Sequence, residues 1–542
     1  RNRSRNTASS RSTRPLPRAH SHSLNDGDEP HRRTSSAALN AAARSQSRAA
    51  AAPASPAAPA RANLSHAGDE PQHPTFPRSA APLHIKMIRR MARLTTLELR
   101  HILVAAHCIG GTSAGAARCG GGGGCATLCC SPAPAAVAPR SGPARTSYDT
   151  VIIGGAVMGS SLAYWLSENP DHDGTVLVVE PDPTYEKSST TLSEASIRHQ
   201  FSEPVNIRLS MFATEFFADF HQNVQVDDEA PSLCFRETGY LFLATDDGMD
   251  VLRENHEVQR SCGAEVALLT RGELAARFPY MYVDDLAGAS LGLRHEGTLD
   301  AYCLMRGFQQ RARHNGVEYL TDRVVDLRLA GADDGGHLVT HVELASGDVV
   351  SCGRVVNCAG PRGRWIAEMA GLELPVEPRI RAAFVFACRE ALDGPTLPLT
   401  IDTTGVHVRT EPPHYLAGAP PLDDVEVDPD DFAVRHDQWE EVIWPALAHR
   451  IPAFERIGVT HSWAGHYAYN TLDHNAVVGP ADAVPNFYFC NGFSGHGFQQ
   501  SAGVGRGLSE LITYGEYRTL DLAELGHDRI VRGEPFLEKA II

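Results

Sequence analysis

The chain has 542 residues, 42% of them hydrophobic and 21% charged, so it can bury one large core or two connected ones and is not disordered throughout. A net charge of −16 excludes a general nucleic-acid binder, which needs a net basic face. The average conceals a division: 20 of the 49 Lys and Arg precede Tyr148 against 6 Asp and Glu, making that stretch +14 and the remainder −30.

Residues 1–147 are dominated by Ala, Arg, Ser, Pro and Gly without amphipathic period, a composition that cannot form a packed core. The chain begins at Arg1, and Met87 is a candidate initiator. From Met87 to Thr146 there are seven arginines, no lysine and one acid, Glu98, the composition of a transit peptide. The expectation is import into mitochondria, to the matrix or the matrix face of the inner membrane, with a plastid as the alternative and an untargeted tail as the bland reading. The apolar run Ile102–Ala106 is too short to span a bilayer, so no transmembrane segment is expected. Cys119–Cys130 holds enough thiols for zinc but no histidine at ligand spacing, and no metal is expected. Seven further cysteines are scattered singly through the acidic body, as small hydrophobes rather than a disulfide framework.

The body opens with a predicted strand over Tyr148–Ile153, a glycine turn, a helix with the apolar face Ser161–Leu166, and a second strand, Thr175–Val179, ending at Glu180. That order is a βαβ unit with buried parallel strands. Midway, Val349–Val350 and Arg354–Asn357 read as two strands flanking a short turn, stopped by Cys358–Gly360. Alternating segments such as Gly239–Ala244 and Arg381–Phe386 read as strands of a separate, largely antiparallel sheet. No repeat of solenoid or propeller length is visible.

The turn Gly154–Gly155–Ala156–Val157–Met158–Gly159 is a G-x-G-x-x-G fingerprint with Ala156 in place of the second glycine. Its glycines serve a tight turn, close approach to a pyrophosphate, and helix–strand packing, while the helix N-terminus offers N–H groups to phosphate oxygens. Glu180, about 20 residues on at a strand end, is placed to accept ribose hydroxyls and disfavours a 2′-phosphate. The fingerprint does not itself separate NAD from FAD.

Three separated stretches, Val151–Glu180, Val355–Pro361 continuing to Trp365, and Gly492–Phe498, resemble the flavin oxidoreductases of the D-amino-acid oxidase, sarcosine oxidase and dimethylglycine dehydrogenase superfamily. Ser189–Ser193, Gln200–Ser202, Trp463–Tyr467, Tyr469–Thr471, Val477–Pro480 and the ending Ala540–Ile542 resemble a mitochondrial branch linked to respiratory complex I assembly. The resemblance covers residues 148–542 and none of the leader. It implies an α/β fold with a discontinuous Rossmann-like FAD-binding domain (148–205, 296–375, 463–542) and a mixed or antiparallel substrate domain (206–295, 376–462). It further implies non-covalent FAD contacted by Gly154, Gly155, Ala156, Val157, Met158, Gly159, Glu180, Ser189, Thr190, Ser193, Val325, Ala359, Gly360, Trp365, Gly492, Gly495, His496, Gly497, Phe498 and Gln499.

In such enzymes the flavin accepts a hydride and the protein chiefly orients the substrate. Arg198 resembles the arginine that binds the substrate carboxylate, for which a planar guanidinium suits bidentate pairing. Alternation puts His407 and Arg409 on one strand face, with Val406 and Val408 on the other, and Arg409 is a second candidate for substrate contact. His496, between two glycines, is placed by the resemblance to contact the ring or substrate.

Departures from the pattern matter equally. Gln499 stands where sarcosine oxidases have lysine after the Gly-His-Gly-Phe run, and Leu416 where they place the lysine that activates oxygen. The three lysines are Lys86, Lys187 and Lys539, so no shift of register supplies one. The flavin-tethering cysteine is replaced at or beside His466, where a histidine tether is the alternative to non-covalent binding. The expected function is FAD-dependent oxidation of a C–N bond in a secondary or tertiary amino acid, as a dehydrogenase rather than an oxidase. The expected partners are the small amine substrate and an electron acceptor, with no nucleic acid. The alternative is an FAD-containing assembly factor for complex I, acting on its assembly intermediates.

Overall fold

The computed structural model describes residues 142–331, 336–390 and 392–539. Met87, the Arg-rich stretch up to residue 141, the Cys119–Cys130 cluster and Ala540–Ile542 lie outside them. In chain order the elements that build the site begin with β1 (Ser147–Ile153), α1 (Val157–Glu168), β2 (Val176–Glu180), α2 (Pro204–Ala218), β3 (Tyr240–Ala244) and α3 (Ala301–His314). They continue with β4 (Val349–Asn357), β5 (Val376–Cys388), β6 (His407–Glu411) and β7 (His414–Ala419). The last are β8 (Ile457–Asn470), β9 (Val484–Asn491) and α4 (Gly497–Tyr514).

β1 pairs in parallel with β2 on one side and β4 on the other, and β4 pairs in parallel with β9. Glu318–Thr321 adds a parallel strand beside β2, and Val477–Ala481 closes the far edge antiparallel to β9. Both faces are buried, so the strands are almost continuously apolar and their alternate residues serve two cores. Ile152, Val178 and Val356 pack with α1, α3 and α4. Val151, Ile153, Leu177, Val179 and Val355 pack on the other face, with Val339 and Val342 of an antiparallel hairpin and with Ile366 and Ala367.

β4 corrects one expectation. Val349–Val350 and Arg354–Asn357 are a single nine-residue strand with no turn between them. Gly353 is there for proximity: a Cβ would stand 2.9 Å from the Asp149 carbonyl oxygen of the neighbouring strand. The glycine marks a close backbone approach within a sheet, which reads like a turn in a bare sequence.

The second sheet runs β8, β5, β7, β6, Leu399–Ile401, β3, Gly288–Gly292, Val266–Thr270, and is antiparallel except where Leu399–Ile401 lies parallel to β3. The strand β8 runs unbroken through residues 462 and 463. One face buries Leu241, Leu243, Phe384, Phe386, Val406, Val408 and Ala417 against Trp439, Ile443 and Leu447. The period of two then turns Tyr240, Phe242, Ala383, Val385, His407, Arg409, Leu416 and Trp463 to the opposite face. There they meet the loops that leave the first sheet.

Among the described cysteines, Cys303, Cys352, Cys358 and Cys490 are buried. Cys234 departs from the small-hydrophobe reading because it is exposed on a loop. Among the described residues no helix is long and apolar enough to cross a membrane.

Candidate functional site

The fingerprint folds as a strand, turn and helix under tight steric control. Gly154 takes φ +101°, a conformation costly for any residue with a Cβ, and a methyl there would run into the Cys358 carbonyl. A Cβ on Gly159 would strike the Gly154 carbonyl, so only glycine lets α1 begin this close to β1. Ala156, the substituted position, sits at the N-cap with ordinary backbone angles. It offers no side-chain cap, and no acid occupies the first turn of α1. The helix therefore presents unneutralised N–H groups, which fits a diphosphate. Val157 N–H donates to Thr190 Oγ1 at 3.3 Å, bringing the Ser188–Ser193 loop to the same end of the helix.

Glu180 reaches back over the turn. Its Oε2 accepts from Gly155 N–H at 2.8 Å and its Oε1 from Asp182 N–H at 3.0 Å. Burial raises its carboxyl above the ordinary range even though these two N–H bonds favour the charge. Val325 stands three residues beyond Asp322, whose N–H bonds the Glu180 carbonyl, so it belongs to the same end of the sheet, with its side chain exposed. Ala359 and Gly360 leave β4 beside Gly154, and Gly360 has φ +55° with open space where a Cβ would be. Trp365 lies one turn further on, half-buried under the Arg364 guanidinium.

A second loop comes in from β9. Gly492, Ser494 and Gly495 all have positive φ, and His496 then caps α4. A Cβ on Gly495 would stand 2.6 Å from the Tyr467 ring, so the ring of β8 lies directly on the turn. Ser189 Oγ donates to the His466 carbonyl at 2.7 Å, joining this strand to the 188–193 loop. Ser193 Oγ accepts from Ala195 N–H at 2.8 Å and turns the chain toward Arg198. Gly497 and Phe498 open α4, with Phe498 in the core beneath.

Arg198 is almost wholly buried. Its guanidinium donates to the Gln200 carbonyl, stacks 4.1 Å from the Phe201 ring centre, and has Tyr240 and Phe242 at 5.6 and 5.3 Å. Nη2 lies 3.3 Å from His496 Nε2. Burial, then Arg198, then His474 hold His496 well below the usual histidine range, so the ring is neutral and accepts from the guanidinium. Gln499 Oε1 accepts from Arg198 N–H at 2.9 Å and from the Ser210 hydroxyl at 3.3 Å. Arg198, His496 and Gln499 thus form one group, in which the residue standing for a lysine serves as a backbone acceptor.

Arg409 is buried on the same sheet face as His407, as alternation required, but its guanidinium is committed elsewhere. One nitrogen bonds Glu411 and another the Glu194 carbonyl at 3.0 Å. His407 Nε2 is 2.9 Å from Glu194 Oε1. Burial opposes the Glu194 charge, yet His407 and Arg409 outweigh it and hold its carboxyl low. Leu416 pairs directly with Arg409 across the strands, in an apolar group with Ala383, Val385 and Trp463. His466 Nε2 is 2.6 Å from the Asp431 carbonyl and its ring stacks on Phe432.

Three residues here escape sequence reasoning. Tyr240 and Tyr467 have phenols raised first by burial, and both feel Arg198 and Glu194, which places them around one space. Glu296 is fully buried, with Oε1 accepting from His199 N–H at 2.8 Å and Oε2 from the Gln200 amide at 2.9 Å. Burial pushes its carboxyl up to about 7 against the pull of these donors and Arg198. For Tyr467 and Glu296 the one sequence signal is a facing glycine: Gly495 under Tyr467, and Gly292, where a Cβ would overlap the Glu296 carboxylate.

A parallel sheet with a phosphate-binding turn, roofed by an antiparallel sheet whose Tyr240 and Phe242 close on the buried Arg198 of the adjoining loop, defines a flavin-dependent oxidoreductase. Residues 149–511 match the FAD dependent oxidoreductase family, DAO, and the chain belongs to it, with FAD as its cofactor. The chain is 40% identical over 425 residues to FAD-dependent oxidoreductase domain-containing protein 1 of Xenopus laevis, a match that spans 73% of this chain and 85% of that protein. It is 26% identical over 392 residues to the mitochondrial sarcosine dehydrogenase of Homo sapiens, across 69% of this chain but 40% of that longer protein. Among solved structures, L-proline dehydrogenase from P. horikoshii superposes with a TM-score of 0.62 at 25% identity, covering 72% of this chain and 99% of that one.

Proposed function

We propose that the chain is a non-covalent FAD dehydrogenase that oxidises the C–N bond of a secondary or tertiary amino acid, of the kind represented by N-methylglycine and proline. The observation that carries this reading is Arg198: a buried guanidinium beside the glycine turn, with a neutral histidine and aromatic rings around it. The names of the sarcosine and proline dehydrogenases among its relatives support the same class of substrate.

The flavin supplies the hydride acceptor when bound. Arg198 binds the substrate carboxylate, and low local dielectric strengthens that pairing. His496 holds Nη2 without adding charge. Phe201, Tyr240 and Phe242 exclude water, and the phenols of Tyr240 and Tyr467 stay protonated and able to donate. Dehydrogenase over oxidase rests on the apolar group around Leu416 and on the commitment of Arg409 to Glu411, which leaves no lysine and one engaged arginine near that position. We further propose the division into FAD-binding and substrate domains given by the two sheets, and organelle import through the Arg-rich leader.

The test is anaerobic titration of the flavoprotein with N-methylglycine and with L-proline. Bleaching by either, followed by turnover with an artificial acceptor and little peroxide, is expected. Peroxide equal to substrate consumed overturns the dehydrogenase reading. An intact flavin that neither amino acid reduces overturns amine oxidation and favours FAD as a structural element in support of complex I assembly. Fluorescent fusions with and without residues 87–146 check import.

A further inference from the structure

The loop that carries Arg198 is held from its downstream side by the far end of the chain. Glu538 is buried, and its carboxylate sits at the N-terminus of α2, immediately after that loop. Oε1 accepts from Ser202 N–H at 2.8 Å and from the Ser202 hydroxyl at 2.7 Å, and Oε2 accepts from Glu203 N–H at 3.3 Å and from the Asn206 amide at 2.9 Å. The contact is reciprocal, since Lys539 N–H donates to the Ser202 hydroxyl at 2.9 Å. Glu203, at the N-cap itself, makes no side-chain cap, and a carboxylate from more than 330 residues away brings its charge and acceptor oxygens to this end of the helix.

The tail bearing Glu538 is itself anchored beside the glycine turn. Arg529, also buried, pairs with Asp473 at 2.7 Å, and Asp473 accepts from Phe536 N–H at 3.0 Å. Asn206 donates to Asn475 at 2.7 Å and accepts from Gln500 of α4 at 3.1 Å. Tail, α2 and α4 therefore share one buried polar network, in which each partner depends on the others being in place.

Between this network and Arg198 lie three residues that hold the guanidinium directly or bond its holders. Gln200 gives it a carbonyl and Phe201 a ring. Phe201 N–H closes the turn on the His199 carbonyl at 3.0 Å. We infer that Glu538 is a positioning residue: it clamps the start of α2 and thereby fixes the 198–201 turn that presents Arg198. Its value for substrate rests on the function proposed above; its hold on the loop does not.

The test is hydrogen exchange on the holoprotein, with binding measured alongside. In Glu538→Ala, amides across residues 198–206 are expected to exchange at least about tenfold faster, while β1, β4 and β9 keep their protection. Binding of pyrrole-2-carboxylate, a non-reacting carboxylate read by flavin absorbance, is expected to weaken about tenfold, with kcat changed far less than KM. Glu538→Gln, which keeps one acceptor oxygen, is expected to fall between, and it stands in if the alanine variant does not fold. Unchanged exchange at 198–206, or exchange raised equally throughout, overturns the inference. Faster loop exchange in the variant, in a protein whose wild type shows no response to the carboxylate, upholds the clamp and overturns the substrate reading instead.

Discussion

Arg198 sits among rings, a backbone carbonyl and a neutral imidazole, with Glu296 near enough to feel its charge. In that low-dielectric setting a guanidinium binds a substrate carboxylate through charge-assisted hydrogen bonds. Arg198→Met is expected to remove a charge-assisted bond worth about 2 kcal/mol, raising KM for N-methylglycine or L-proline roughly 30-fold, as steady-state kinetics would show. Glu296 gives this site a pH signature. Its carboxyl rises from 4.5 to about 7 on folding, so the unfolded chain releases that proton first as pH rises. Stability present below pH 4.5 is lost progressively up to about pH 7, an effect of about 3 kcal/mol. Urea unfolding of Glu296→Gln between pH 5 and pH 8 should show a correspondingly smaller loss than wild type.

At the scale of elements, the glycines sort into those that answer a neighbour and those that answer a dihedral angle. Gly159→Val drives a side chain into the Gly154 carbonyl, and the variant is expected to purify without flavin, measured as the ratio of visible to protein absorbance. Gly360→Ala meets no atom, so its cost is the left-handed backbone alone, about 1 kcal/mol, and flavin content should hold. This contrast also explains what the sequence disclosed. The βαβ unit with Gly154–Gly159 and Glu180 was legible because every part lies within some 30 residues and each has a local steric reason. Gly353 misled for the same reason in reverse: its neighbour, Asp149, is far away in the chain. Tyr240 carries no signature, and Tyr467 and Glu296 carry only a facing glycine, since what makes them part of the site is a fold that joins β3, β8 and the Arg198 loop. The role of Arg409 was half legible: alternation gave its face, but Glu411 and Glu194 decide what its charge does.

For the whole molecule, the non-covalent binding proposed above has the cofactor held by a cradle and not by a bond. His466, the remaining candidate for a tether, already has its Nε2 at the Asp431 carbonyl and its ring against Phe432. Acid precipitation is expected to leave a colourless pellet and a yellow supernatant; a yellow pellet would mean a covalent flavin. The division of residues between the two sheets has a consequence in time. β1 stands between β2 and β4, and β4 needs β9, so the central strands of the first sheet draw on residues 147, 357 and 491 alike. A ribosome or an import channel delivering the chain from its N-terminus releases β1 and β2 long before β4 and β9 exist. That sheet can therefore close only when nearly the whole body has emerged, a high-contact-order assembly that is slow and exposed to misfolding. Flavin loading belongs after that moment, and under the import proposed above a body that crosses the membrane unfolded loses nothing by waiting for it.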